Sequence, residues 1–256
     1  MKTYNYIFIL LFSILFSIER EPYNQFTITR IHYSGGGDWY ADPSSLSNLL
    51  NYVKNNTLIN ANGKEIKAKI GDSQFYLNNY LYMTGHGNIN LSSEEIAILR
   101  GHLLNGAFLH ADDNYGMDKS FRKIVKLLFP EKELIEIPPN HDLFNCYYIF
   151  ENGLPKIHEH DNNPPQALGI FNNEKLILLY TYESDLGDGW EDFRAHNIPE
   201  EKRLSALKMG TNIIIHALSR WKLNELYYRN NKKISTEKCS WSIFKRLYKN
   251  MFNFSL

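Results

Sequence analysis

Thiols are scarce in this chain of 256 residues, with Cys146 and Cys239 its only cysteines. Two cysteines so far apart cannot build a disulfide framework or a four-cysteine zinc site, so the fold must stand on packing. Net charge is missing too. The 28 basic residues balance 28 acidic ones, which excludes a nucleic-acid binder that relies on a global basic field. Gly35-Gly36-Gly37 lacks the G-x-G-x-x-G spacing of a dinucleotide fingerprint. No apolar run reaches the ~20 residues that span a bilayer, and no internal repeat is visible. What remains is an ordinary globular composition, 43% hydrophobic and 22% charged, sized for one domain with short appendages.

The two ends differ from the body. Lys2 precedes an apolar run from Tyr6 to Ile18, and Glu19-Arg20-Glu21-Pro22 follows it. That is the layout of a secretory signal peptide. The expectation is a signal peptide over 1–18, cleavage shortly after Ser17, and an exported protein of the periplasm or cell envelope. The segment 221–256 carries eight basic and two acidic residues, a net +6, interleaved with Trp241, Phe244, Leu247 and Tyr248. It resembles a basic amphipathic helix that makes a weak contact with an anionic membrane surface or an envelope protein complex.

The body, 26–220, alternates strand, loop and helix. FTITRIHY (26–33) runs into the glycine loop Gly35-Gly36-Gly37-Asp38-Trp39, with Asp42 as expected N-cap and Pro43 as first residue of a helix striped by Leu46, Leu49, Leu50 and Val53. IKAKIG (66–71) is a short strand. YLYMT (80–84) breaks at Gly85-His86-Gly87 before a capping box, Ser92 with Glu95. GAFLHA (106–111) stops at Asp112-Asp113 before a helix with Phe121, Ile124, Val125 and Leu128. The stretch 131–174 reads as loop-rich, with a strand at Tyr147–Phe150 holding Cys146 at its edge as a structural thiol. The polar excursion HEHDNNPP (158–165) reads as a solvated loop despite His158, His160 and Asp161. KLILLYTY (175–182) is the last clear strand, followed by Glu183, Asp185 and the loop LGDGWED, and Asn197 with Glu200 is expected to cap the final helix.

Such alternation predicts an α/β protein with a mostly parallel sheet covered on both faces. Ligands in open sheets bind beyond the carboxyl ends of the strands. Convergence of the strand ends would gather Asp38, His86, Asp112, Asp113, Glu183 and Asp185 around one crevice. Crowded carboxylates repel, so at least one is expected to hold a raised pKa. They suit either general acid/base work or ligation of a divalent metal ion such as Mg²⁺, Ca²⁺ or Mn²⁺. Asp112, Asp113 and His86 are the expected catalytic centre, with Gly36, Gly37, Asp38, Trp39, Gly85, Gly87, Glu183 and Asp185 as ligand-binding residues.

In order, YSGGGDWY, YLYMTGHG, LLNGAFLHADDNYG, DLGDGWE and MGTNIIIHAL resemble the exported bacterial domain-of-unknown-function family 4159, over about residues 26–220. That family is similar to the class I glutamine amidotransferase-like superfamily, which implies a flavodoxin-like three-layer fold. Amidotransferases place a nucleophilic cysteine at the turn after a strand like GAFLHA, where this chain has Asp112 and Asp113, so cysteine-dependent glutamine hydrolysis is not expected. Family members are encoded near components of membrane-associated complexes with an ATPase and von Willebrand-type domains. Two functions follow: an exported domain that binds or hydrolyses a polar ligand, such as a sugar or another envelope component, and a non-enzymatic subunit or adaptor of an envelope complex.

Overall fold

The structure, a computed structural model, describes residues 25–230. The expected signal peptide and residues 231–256 of the basic tail lie outside the described residues. In chain order the elements are β1 (Thr29–Ile31), α1 (Ser45–Asn56), β2 (Ile66–Ala68), β3 (Tyr80–Gly85), α2 (Ser93–Leu104), β4 (Phe108–Asp113), α3 (Asp118–Leu128), β5 (Ile135–Glu136), β6 (Gln166–Asn172), β7 (Lys175–Tyr182), the short α4 (Leu186–Trp190) and α5 (Glu200–Asn230).

Seven strands form one sheet in the order β2-β1-β3-β4-β7-β6-β5. The β1–β2, β1–β3, β3–β4 and β4–β7 pairs are parallel, while β6 pairs antiparallel with β7 and β5 with β6. Side chains of a strand alternate between its faces. On β3, Tyr80 and Tyr82 enter one core with Leu46, Leu49, Ile213 and Ile214 of α1 and α5. Leu81 and Met83 enter the other, with Leu99 and Leu103 of α2 and Phe121 and Val125 of α3. The result is a mostly parallel sheet between two helical layers, a flavodoxin-like three-layer α/β fold.

Several boundaries moved, each for a physical reason. The capping box forms as expected: Ser92 Oγ accepts the Glu95 N–H at 3.1 Å and Glu95 Oε2 accepts the Ser92 N–H at 2.7 Å. Asp42, expected as the N-cap of α1, is instead left-handed (φ 53°), and Ser44 precedes the helix. The cap comes from far away, since Glu191 Oε1 accepts the Ser44 N–H at 2.7 Å. Asn197 does not adjoin α5, which starts three residues later. No strand forms at 147–150. There Asn212 of α5 supplies both halves of a strand's pairing, its Oδ1 accepting the Tyr148 N–H and its Nδ2 donating to the Tyr148 carbonyl, each at 2.8 Å. Cys146 donates towards the Asn212 carbonyl at 3.3 Å, and burial pushes its thiol up to about 12. The structural reading of that cysteine stands although the strand does not. The region read as loop-rich holds β6, which makes a hairpin with β7 through Asn173 and Glu174, both at positive φ.

Candidate functional site

Because β1, β3, β4 and β7 are adjacent and parallel, the four loops that follow them emerge along one edge of the sheet. The loops after β1 and β3 zip together: Gly37 N–H donates to the Asn88 carbonyl at 2.9 Å and Asp38 N–H to the His86 carbonyl at 3.3 Å. The approach explains two of the glycines. A Cβ on Gly37 would lie 2.7 Å from the Asn88 oxygen, and one on Gly85 would lie 2.8 Å from the Asp38 carbonyl. Gly36 and Gly87 face open space by comparison. Trp39 stacks on His32, with centroids 4.1 Å apart.

The zipped loops create an Asp–His dyad. Asp38 Oδ2 lies 3.0 Å from His86 Nδ1, and Asp38 Oδ1 accepts the His86 backbone N–H. Burial works to raise the Asp38 pKa, but hydrogen bonds from the His86 amide and ring together with the ring's charge hold it below the ordinary carboxylate value. An ionised aspartate on Nδ1 fixes the tautomer and leaves Nε2 as the reactive nitrogen of the half-exposed ring.

Asp112 and Asp113 belong to β4 itself, two residues further than the strand was expected to run. Neighbouring residues of a strand face opposite ways, so the two side chains have separate surroundings. Asp112 Oδ1 accepts from the Thr181 hydroxyl, and its Oδ2 accepts the Gly187 N–H at 2.7 Å and the Tyr82 hydroxyl at 3.4 Å. On the far side of Thr181, His110 Nε2 sits 3.0 Å from Oγ1, and Tyr80 lies 3.5 Å from Nδ1. Since Thr181 gives its proton to Asp112, His110 must donate from Nε2 and accept at Nδ1; burial lowers its pKa to about 3, so the ring is neutral. Asp113 Oδ1 accepts the Met117 N–H at 3.2 Å ahead of α3. Burial pushes Asp112 up to about 7 and Asp113 to about 6.

Beyond the strand ends opens a cavity of about 330 Å³. Neither Asp112 nor Asp113 is among its lining residues; Asp38, Asp42, His86, His158, His160, Asp188, Glu191 and His196 are. The segment expected to be a solvated loop is pinned to the end of β7. Lys156 Nζ pairs with the buried Glu183 at 2.7 Å, Ile157 N–H donates to the Ser184 carbonyl, and Ser184 Oγ donates to the Pro155 carbonyl at 2.6 Å. Glu183 is thereby a tether: burial would raise its pKa, and the Lys156 and Asn163 contacts lower it. The pinned segment delivers His158 Nδ1 to Asp188 Oδ2 at 2.6 Å and His160 Nε2 to Asp185 Oδ2. From the opposite wall, His196 Nε2 lies 3.4 Å from Asp188 Oδ1 and 3.8 Å from Asp42 Oδ1. Arg30, fully buried in β1, holds the Asp42 backbone in place by donating to the Ala41 carbonyl at 2.7 Å and the Asp42 carbonyl at 3.1 Å.

A model of the family described as Domain of unknown function (DUF4159) matches residues 27–218. The chain belongs to this family. No curated protein matches the chain.

In this DUF4159 domain buried carboxyl groups crowd around the cavity. Burial, with Asp188, Asp112 and Glu191 nearby, pushes Asp42 up to about 8. Burial, with Asp188, Asp112 and Asp113, pushes Asp185 to about 10. Raised carboxylates are what crowding predicted. Two sets of side chains have ligand atoms that all lie within 4.8 Å of one another: His158, His160 and Asp185, and Asp42, Asp188 and His196. Of these six, sequence reasoning named only Asp185 as a site residue. It took Asp42 for a cap and the two histidines for solvated residues, and it passed over Asp188 and His196. Two spacings carried a signal: H-x-H, which puts both rings on one side of an extended segment, and Asp185 with Asp188, one helical turn apart.

Proposed function

We propose that this domain binds and hydrolyses a small polar ligand in the crevice at the strand C-termini, with His86 as general base and Asp38 as its positioning partner. The observation that carries the reading is the Asp38–His86 dyad on the rim of a cavity otherwise lined mainly by carboxylates and imidazoles. Its volume suits a small ligand, and its polarity suits one rich in hydroxyl or anionic groups, such as a sugar or another envelope component. Nε2 of His86 would take a proton from water or a ligand hydroxyl, and the ionised Asp38 would stabilise the resulting imidazolium. Asp112 acts in this scheme as a positioning residue, since it fixes the first turn of α4 between Asp185 and Asp188. The flavodoxin-like strand order is compatible with kinship to the class I glutamine amidotransferase-like superfamily. Cysteine thioester chemistry is no part of the reading, because Asp112 and Asp113 stand at the matching turn and Cys146 is engaged with backbone carbonyls.

A panel of 4-nitrophenyl esters, phosphates and glycosides tests it. The expected outcome is turnover of at least one class by the wild type, falling about 100-fold in His86→Ala with an unchanged melting temperature. Turnover insensitive to His86→Ala would refute the assignment. A wild type inert across the panel would favour the second reading, a non-enzymatic subunit of an envelope complex, for which the +6 segment 221–256 speaks.

A further inference from the structure

We propose that the cavity wall is a transition-metal centre in which His158, His160 and Asp185 hold one divalent ion and Asp42, Asp188 and His196 hold a second beside it. This deepens the crevice reading and rests on it for location alone.

Three independent observations converge. Each triad already brings one ligand atom per residue within 4.8 Å of the others, although the six residues come from three separate stretches of chain. Asp188 joins the triads, with Oδ2 turned to His158 at 2.6 Å and Oδ1 to His196 at 3.4 Å. A carboxylate that offers one oxygen to each set is what a bridging ligand requires. The third observation concerns hydrogen bonding. Asp42 Oδ2 and Asp185 Oδ1 are buried oxygens without a partner, on side chains only 4% and 2% exposed. Buried carboxylate oxygens are costly to leave unmatched, and Asp42 lines the cavity.

The donor set indicates the kind of ion. Three imidazole nitrogens among six ligands favour zinc, cobalt, nickel or iron over magnesium, calcium and manganese, which prefer oxygen-rich shells. Three protein ligands per ion leave coordination positions for a ligand entering from the cavity. Orientation is supplied from outside the triads. Lys156–Glu183 and Ile157–Ser184 hold the histidine segment against β7, Tyr115 stacks on the His160 ring with centroids 4.4 Å apart, and Arg30 holds the Asp42 backbone. Such outer contacts are the usual companions of metal ligands.

Titration of the chelator-stripped full chain with Co²⁺, read by visible absorption and calorimetry, tests this without any substrate. The expected result is two equivalents bound with micromolar or tighter affinity. His160→Ala should weaken the first site at least tenfold and change the absorption band, and His196→Ala should leave one equivalent. His160→Gln guards against a folding artefact, with far-ultraviolet circular dichroism as control, and His102→Ala, remote from the cavity, should bind like wild type. Millimolar binding, or binding indifferent to both His160 variants, overturns the centre. A single equivalent that His196→Ala does not alter overturns its paired form. Metal binding without turnover would reject the hydrolytic assignment and retain the centre, while turnover without Co²⁺ binding would do the reverse.

Discussion

Two groups of buried aspartates lie at the C-terminal edge of the sheet, and they are built on opposite principles. Under the cavity, Asp112 collects donors from Thr181, Tyr82 and Gly187, and Asp113 caps the approach to α3. Around the cavity, Asp42 and Asp185 each keep a buried oxygen without a donor close to Asp188. Burial and raised pKa are common to both groups, so neither separates a structural carboxylate from a working one. Satisfaction of the oxygens is what differs between them.

The sharpest way to break this contrast is Asp112→Ala. It strips the acceptor from three buried donors, and an unmatched buried donor costs ~1–3 kcal/mol. A loss of about 3 kcal/mol is expected, lowering Tm by about 9 °C for a domain of this size. A fall under ~2 °C would erase the distinction. Asp42→Asn should act in the opposite direction. In chelator-treated protein it removes the proton uptake that a carboxyl with a folded pKa of about 8 requires on folding at neutral pH, and a gain of about 2 kcal/mol, or ~6 °C, is expected by calorimetry. A lowered Tm would place Asp42 with the structural group.

The smallest effect is pH-dependent and belongs to Asp113. Its folded pKa of about 6 lies above the ordinary aspartate value of 3.8, so the folded state binds the proton more tightly and this residue's contribution to stability declines as pH rises from ~4 through ~6. Asp113→Asn keeps the oxygen that accepts from Met117 and abolishes that decline. Denaturant titrations should find the variant within error of wild type at pH 4 and about 1 kcal/mol more stable at pH 7.5. An advantage that grows towards acid would reverse the assignment.

Periodicity made the layered fold legible. KLILLYTY became β7 with the expected ends, and the Ser92–Glu95 box opened α2 where its spacing said. The β6 hairpin escaped because its turn uses Asn173-Glu174 at positive φ, where glycine would have given the usual signal. Tyr147–Phe150 misled because β-propensity reports fit to a half-buried pleated surface, and here the Asn212 side chain does the pairing. Of the site, the glycine loops and the Asp38–His86 pair were legible from strand-end convergence. The histidines at 158 and 160 were not, since composition cannot distinguish a solvated polar loop from one tethered by Lys156 to Glu183. Asp112 and Asp113 were read as neighbours at a turn, and the structure parts them, because a strand two residues longer turns adjacent side chains away from each other.

The bond from Ser44 to Glu191 spans 147 residues, and that span orders events in time. The first β-loop-α unit supplies Asp38 and Asp42 to the cavity, and the last supplies Asp188, Glu191 and His196. Closing so large a loop is among the slower contacts a chain can make. The acidic residues therefore meet only when the final unit docks on the first. Most of the sheet can assemble before the chain brings these carboxyl groups together, so the rim of the cavity is expected to be completed late.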